Sequence, residues 1–231
     1  MKKYILLFSG ILSIWFTTYI SLLPLNWFNQ ADVSNMYATS ITPAGFTFSI
    51  WSIIYLSWLV LGFYNIFYKK KEKIKKQDLY FLASAQILTV LWLIPWHYNF
   101  IWMSLVIMLW ILWTLWYLST KQMKDKLFQW TIYLFFGWIL VATIANIHIF
   151  LVSAYLYIFP IVFWVISLLL WAYINSYIIK KYSSIIPTIV FIWALIWIIS
   201  NHTNIYIIST SYAIIFILWV IIYKNKMNLK N

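Results

Sequence analysis

The chain contains no cysteine and no arginine, and only 9% of its 231 residues are charged. Without thiols, disulfides and thiolate metal sites are excluded. The missing arginine, beside abundant Ile, Lys and Asn, points to an AT-rich genome and concerns coding bias, not mechanism. Acids are scarce too: Asp32, Glu72, Asp78 and Asp125 are the four present, and all lie in loops or at the ends of apolar runs. A carboxylate proton relay within the membrane and two-carboxylate catalysis therefore lack their parts. Glycine, at four residues, forms no phosphate-binding loop. There is no His-x-x-x-His pair and no set of nucleophile, base and orienter, so no catalytic residue and no metal site is assigned. Segments alternating polar and apolar residues with period two are missing as well, which argues against an outer-membrane barrel.

Apolar side chains fill the space left by these absences, at 65% of the chain. A soluble domain is about 45–50% apolar and about 25% charged. A bilayer core about 30 Å thick takes about 20 helical residues to cross, so the length allows seven or eight crossings and no soluble domain. Helices are the way left to satisfy backbone hydrogen bonds in lipid, and the fold class expected is all-α. Apolar runs fall at about 4–24, 46–68, 79–97, 100–119, 128–151, 155–179, 184–200 and 205–223, giving about eight helices. The start, Met1-Lys2-Lys3, superficially resembles a signal peptide, but the run continues to about Pro24 without a small-x-small cleavage site and is expected to stay as the first helix.

The lysines test that count. They precede run 1 (Lys2, Lys3), separate runs 2 and 3 (Lys69, Lys70, Lys71, Lys73, Lys75, Lys76), and follow run 4 (Lys121, Lys124, Lys126), run 6 (Lys180, Lys181) and run 8 (Lys224, Lys226, Lys230). With eight crossings every lysine falls on one side, which the positive-inside tendency makes the cytoplasm, with both termini there. The net charge of +12 is thus read as membrane topology rather than nucleic-acid binding. The opposite side carries one substantial loop, residues 25–45, the expected place for function. Thr42 can cap the next helix and Pro43 suits its first turn. Pro95 and Pro187 fall near helix ends, and Pro160 is expected to kink the sixth helix.

Aromatic residues, 17 Trp, 18 Tyr and 17 Phe, are unusually many. Most are expected to form interfacial belts. Within run 2, Phe48, Trp51, Tyr55 and Trp58 recur at helical spacing and share a face. Within run 5, Trp138, Ala142, Ala145 and Asn146 share another, a flat ring beside small residues that allow close packing or leave room for a ligand. His97, His148 and His202 all fall on the outer side, where contact with water or headgroups is expected; His148, two residues past Asn146, is the nearest of them to that face.

In order along the chain these segments resemble the tryptophan-rich sensory proteins, also called TspO or translocator proteins, and especially their longer bacterial relatives. Pro43-Ala44-Gly45-Phe46-Thr47-Phe48-Ser49-Ile50-Trp51-Ser52-Ile53-Ile54-Tyr55 is similar to the start of that family's second helix. Gln86-Ile87-Leu88-Thr89-Val90-Leu91-Trp92 with Trp96-His97-Tyr98 is similar to its third, and Gly137-Trp138-Ile139-Leu140-Val141-Ala142-Thr143-Ile144-Ala145-Asn146 to its fifth. The resemblance divides the chain into a five-helix bundle, 1–151, and a three-helix extension, 152–231. It implies an intramembrane pocket for a planar hydrophobic ligand such as a porphyrin or haem, lined by Phe48, Trp51, Tyr55, Thr89, Trp92, Trp138, Ala142 and Asn146. Thr89 and Leu134-Phe135 replace an Asn and a Pro-Tyr of the family, which implies a less polar ligand. A sterol-recognition pattern is matched only by Val220-x-x-Tyr223-x-x-Lys226.

The partners implied are membrane lipids and a hydrophobic small molecule, with room for a homodimer and no nucleic acid. No cofactor is required beyond a tetrapyrrole ligand, and the location implied is a bacterial plasma membrane. Photo-oxidative chemistry on a bound porphyrin is implied by the resemblance, and enzymatic turnover is left open. A transporter or channel for a neutral hydrophobic solute is the alternative function, and a protein whose aromatic faces merely pack is a third.

Overall fold

A computed structural model describes residues 4–23, 25–67, 74–121, 124–182 and 184–228, the side chains as far as 224. Pro24, Glu72 and the lysines Lys2, Lys3, Lys69, Lys70, Lys71, Lys73 and Lys230 lie outside these, as does the side chain of Lys226. Nine α-helices occur among the described residues: α1 (Ile5–Leu22), α2 (Gln30–Met36), α3 (Ile50–Phe67), α4 (Lys76–His97), α5 (Ile101–Ser119), α6 (Lys126–Ser153), α7 (Pro160–Tyr182), α8 (Ile186–Asn201) and α9 (Ile205–Asn228). All eight apolar runs are helical. Seven are long and apolar enough to cross a membrane, and α8, at 16 residues, is shorter. At about 1.5 Å per residue α8 reaches about 24 Å, less than a bilayer core.

Polar residues at helix contacts do much of the joining. Ser9 and Ser13, one turn apart on α1, donate to the side-chain and backbone oxygens of Gln86 on α4. Small residues permit the closest approaches. A Cβ on Gly62 would lie 2.8 Å from the Leu7 backbone, and one on Gly137 would lie 2.8 Å from the backbone of Pro187. Helix α8 therefore presses directly against α6 at the latter point.

Two layers of contacts fix which helix ends lie together. At one end Lys121, after α5, forms an ion pair with Asp78 in the first turn of α4, and Trp116 stacks on Tyr177 of α7. At the other end the loop 25–45 folds over the bundle. Asn26 donates to the carbonyl of His97, Trp96 Nε1 donates to Gln30 O, and Ser40 N donates to the hydroxyl of Tyr157.

Helix starts follow from local chemistry. Asn29 and Asp32 form a reciprocal capping box on α2, and Asp125 Oδ1 accepts from Phe128 N at the start of α6. Pro160 is the first residue of α7, where its missing N–H is harmless, so it does not bend the helix as expected. Thr42 does not cap α3 either. Its hydroxyl accepts from Thr39 N within the loop, and a 3-10 turn, Gly45–Ser49, leads into α3 with Thr47 Oγ1 donating to Ala44 O.

Candidate functional site

Beneath the loop lies a cavity of about 50 Å³. Its largest wall is one face of α6, where Trp138, Val141, Ala142, Ala145, Asn146 and Ile149 recur at helical spacing. Phe48, delivered by the 3-10 turn, and Trp92 and Trp96 of α4 supply aromatic walls. Trp171 of α7 with Ala194 and Ile198 of α8 close the far side, and Ser34, Ile41 and Pro43 of the loop form the roof. The rings interlock: Trp138 meets Phe48 edge-on at 6.2 Å, and Trp92 and Trp96 lie 5.0 Å apart. Such pairs contribute about 0.5–1.5 kcal/mol each beyond their burial.

Five of the eight residues singled out from the sequence, Phe48, Trp92, Trp138, Ala142 and Asn146, border this space. The other three do not. Trp51 stands behind Trp138, edge-on at 6.0 Å, and stacks on Tyr55 at 5.5 Å. Thr89 returns its hydroxyl to Ala85 O on its own helix. Asn146 is buried with its amide bonded to Ser104 Oγ of α5, 3.1 Å away. Phe135, one of the two replacements at the family's Pro-Tyr, packs against Trp58 and Trp51.

Sequence reasoning missed Trp171, Ala194 and Ile198. Nothing in their spacing announces which helix they will face, because that depends on how the last three helices dock. The docking uses backbone groups of the loop. Ala44 N donates to Trp197 O, Trp193 Nε1 to Thr47 O, and Asn201 Nδ2 and His202 Nε2 both reach Thr42 O. These bonds and the α6–α8 contact cross the predicted boundary between residues 151 and 152.

The histidines correct another expectation. His97 is buried, with Nδ1 bonded to Leu93 O at 2.7 Å, because the loop covers the end of α4. His148 is buried too, and both ring nitrogens are occupied, Nδ1 by Tyr157 Oη and Nε2 by Ser167 Oγ. Neither is placed at a water or headgroup surface. Only His202 is partly exposed, in the α8–α9 connection; burial holds its pKa below the ordinary value and the bond to Thr42 O opposes the shift.

A family model described as TSPO-like protein matches residues 3–223. The chain belongs to that family. The match to the TSPO-like family runs through α7, α8 and most of α9, so the helices that complete the cavity lie within it. No match is found among curated proteins or among solved structures. With its family and its seven long apolar helices, this TSPO-like chain is an integral membrane protein built as a helix bundle.

Proposed function

We propose that this protein binds a flat, largely hydrophobic ligand of the tetrapyrrole kind in the cavity beneath the outer loop, within a bacterial plasma membrane and with both termini cytoplasmic. The observation that carries the reading is the cavity wall: Phe48, Trp92 and Trp138 offer ring faces and edges beside the small residues Ala142 and Ala145. Flat rings stack on such surfaces with little conformational cost. At about 50 Å³ the space is closed down around its own side chains. Drug-sized ligands occupy about 300–1,000 Å³. Binding therefore includes an opening step, in which the roof residues Ile41 and Pro43 lift and the rings of Phe48 and Trp138 separate.

A carrier would need alternating access, for which discontinuous helices at mid-membrane are the usual device. Each of the seven long spans here is continuous among the described residues, its only change of helix type being the 3-10 turn into α3. A binding role fits that geometry better.

The test is quenching of tryptophan fluorescence by protoporphyrin IX in detergent. The parent is expected to quench saturably, and Trp138→Phe to weaken the apparent affinity by about tenfold, the equivalent of 1.4 kcal/mol. Lipid-facing Trp219→Phe is expected to leave it unchanged. Equal, non-saturable quenching in all three proteins would reject the reading.

A further inference from the structure

The cavity has a chemical bias that its aromatic walls conceal. Trp92, Trp138 and Trp171 all border it, and the indole Nε1 of each is buried without a hydrogen-bond partner among the described residues. Trp96, on the same wall, differs, because its N–H is spent on Gln30 O of the loop. Asn146, the other strong polar group on the wall, is engaged with Ser104. Three tryptophans from three helices thus border one small space, and each carries a buried donor that lacks an acceptor.

A buried donor left unpaired costs about 1–3 kcal/mol, and indole is a donor only. The matching group on a ligand is therefore an oxygen acceptor. Charge on that oxygen is disfavoured by the same wall. No lysine and no histidine lines the cavity, and a desolvated carboxylate without a cationic partner is penalised far more than a neutral carbonyl. The resting volume, about 50 Å³, admits a group of carbonyl or ester size but not a ring system.

Resting on the function proposed above, we infer that the site selects a flat ligand that inserts a neutral oxygen acceptor, a carbonyl, ester or ether, between Trp92, Trp138 and Trp171. Trp171, contributed by α7, is the specificity-determining member from the last three helices. A plain hydrocarbon ring would leave the donors unpaired, and an ionised acid would lose its hydration without gaining a counter-charge.

The experiment compares three porphyrins with the full-length protein in one detergent at neutral pH: protoporphyrin IX dimethyl ester, the free diacid, and etioporphyrin, which has no oxygen. The ester is expected to bind about tenfold more tightly than etioporphyrin, as one recovered hydrogen bond implies, and more tightly than the diacid. Placing 3-benzothienylalanine, whose sulfur replaces the indole N–H in a ring of the same shape, at position 171 should weaken ester binding several-fold and leave etioporphyrin unchanged. The same replacement at Trp58 is the control, because its indole N–H is also buried and unpartnered but Trp58 does not border the cavity. Equal affinity for ester and etioporphyrin, tighter binding of the diacid, or equal loss at positions 171 and 58 would overturn the inference while leaving a flat-ligand site standing. Failure of all three porphyrins to bind would overturn both.

Discussion

At the scale of single residues, side chains whose placement follows from their own helix were readable in advance. Trp138, Ala142 and Asn146 share a face by helical spacing alone, and they meet the same cavity. Thr89 was not readable in that way, because a threonine can turn its hydroxyl back to its own helix, as Thr89 does to Ala85. The histidines misled for a related reason: a position near a helix end looks interfacial until a loop or a later helix covers it. Gly137 is legible only in the structure. A methyl group there would meet the Pro187 backbone at 2.8 Å and Val190 Cβ at 3.2 Å, and a backbone cannot swing aside as a flexible side chain does. Gly137→Ala is therefore expected to destabilise the protein by about 1–3 kcal/mol, the usual cost of overpacking a filled core. A thermal melt in detergent monitored by circular dichroism would register this as a lower midpoint. An unchanged midpoint would mean that α6 and α8 do not pack as described.

At the scale of elements, the apolar runs located every long helix because a membrane demands about 20 apolar residues and the lysine clusters punctuate them. Ends were less legible. The run read from residue 155 begins as α7 only at Pro160, and α6 continues to Ser153. Pro160 was expected within a helix and proves to start one, since only its exact register decides between a kink and a first turn. Sidedness belongs to this scale as well. The chain has no cysteine, so single replacements give a clean reading with a membrane-impermeant maleimide. Tyr155→Cys, at a residue 93% exposed in the α6–α7 turn, is expected to label in intact cells. Lys180→Cys, at the other end of α7, is expected to label only after lysis. The reverse pattern would invert the topology.

At the scale of the whole molecule, composition settled the all-α membrane bundle, and the resemblance supplied the family. What neither supplied is that α7 and α8 help to build the cavity. Their side chains are apolar on most faces, so periodicity gives no preferred direction, and their docking rests on backbone groups of the loop that carry no residue signature. Ala44, Thr42 and Thr47 make those bonds through main-chain atoms. The central claim, that one ligand cavity is shared by α6 and α8, is tested most directly from the α8 side. Ala194 is fully buried on that wall, and Ala194→Val adds two carbons beside a space of about 50 Å³ while leaving every aromatic residue in place. Titration of protoporphyrin IX into this variant, with its melting midpoint measured alongside, should show an affinity lowered by about tenfold in a protein that still folds. Parental affinity in the folded variant would place the ligand elsewhere and contradict the account.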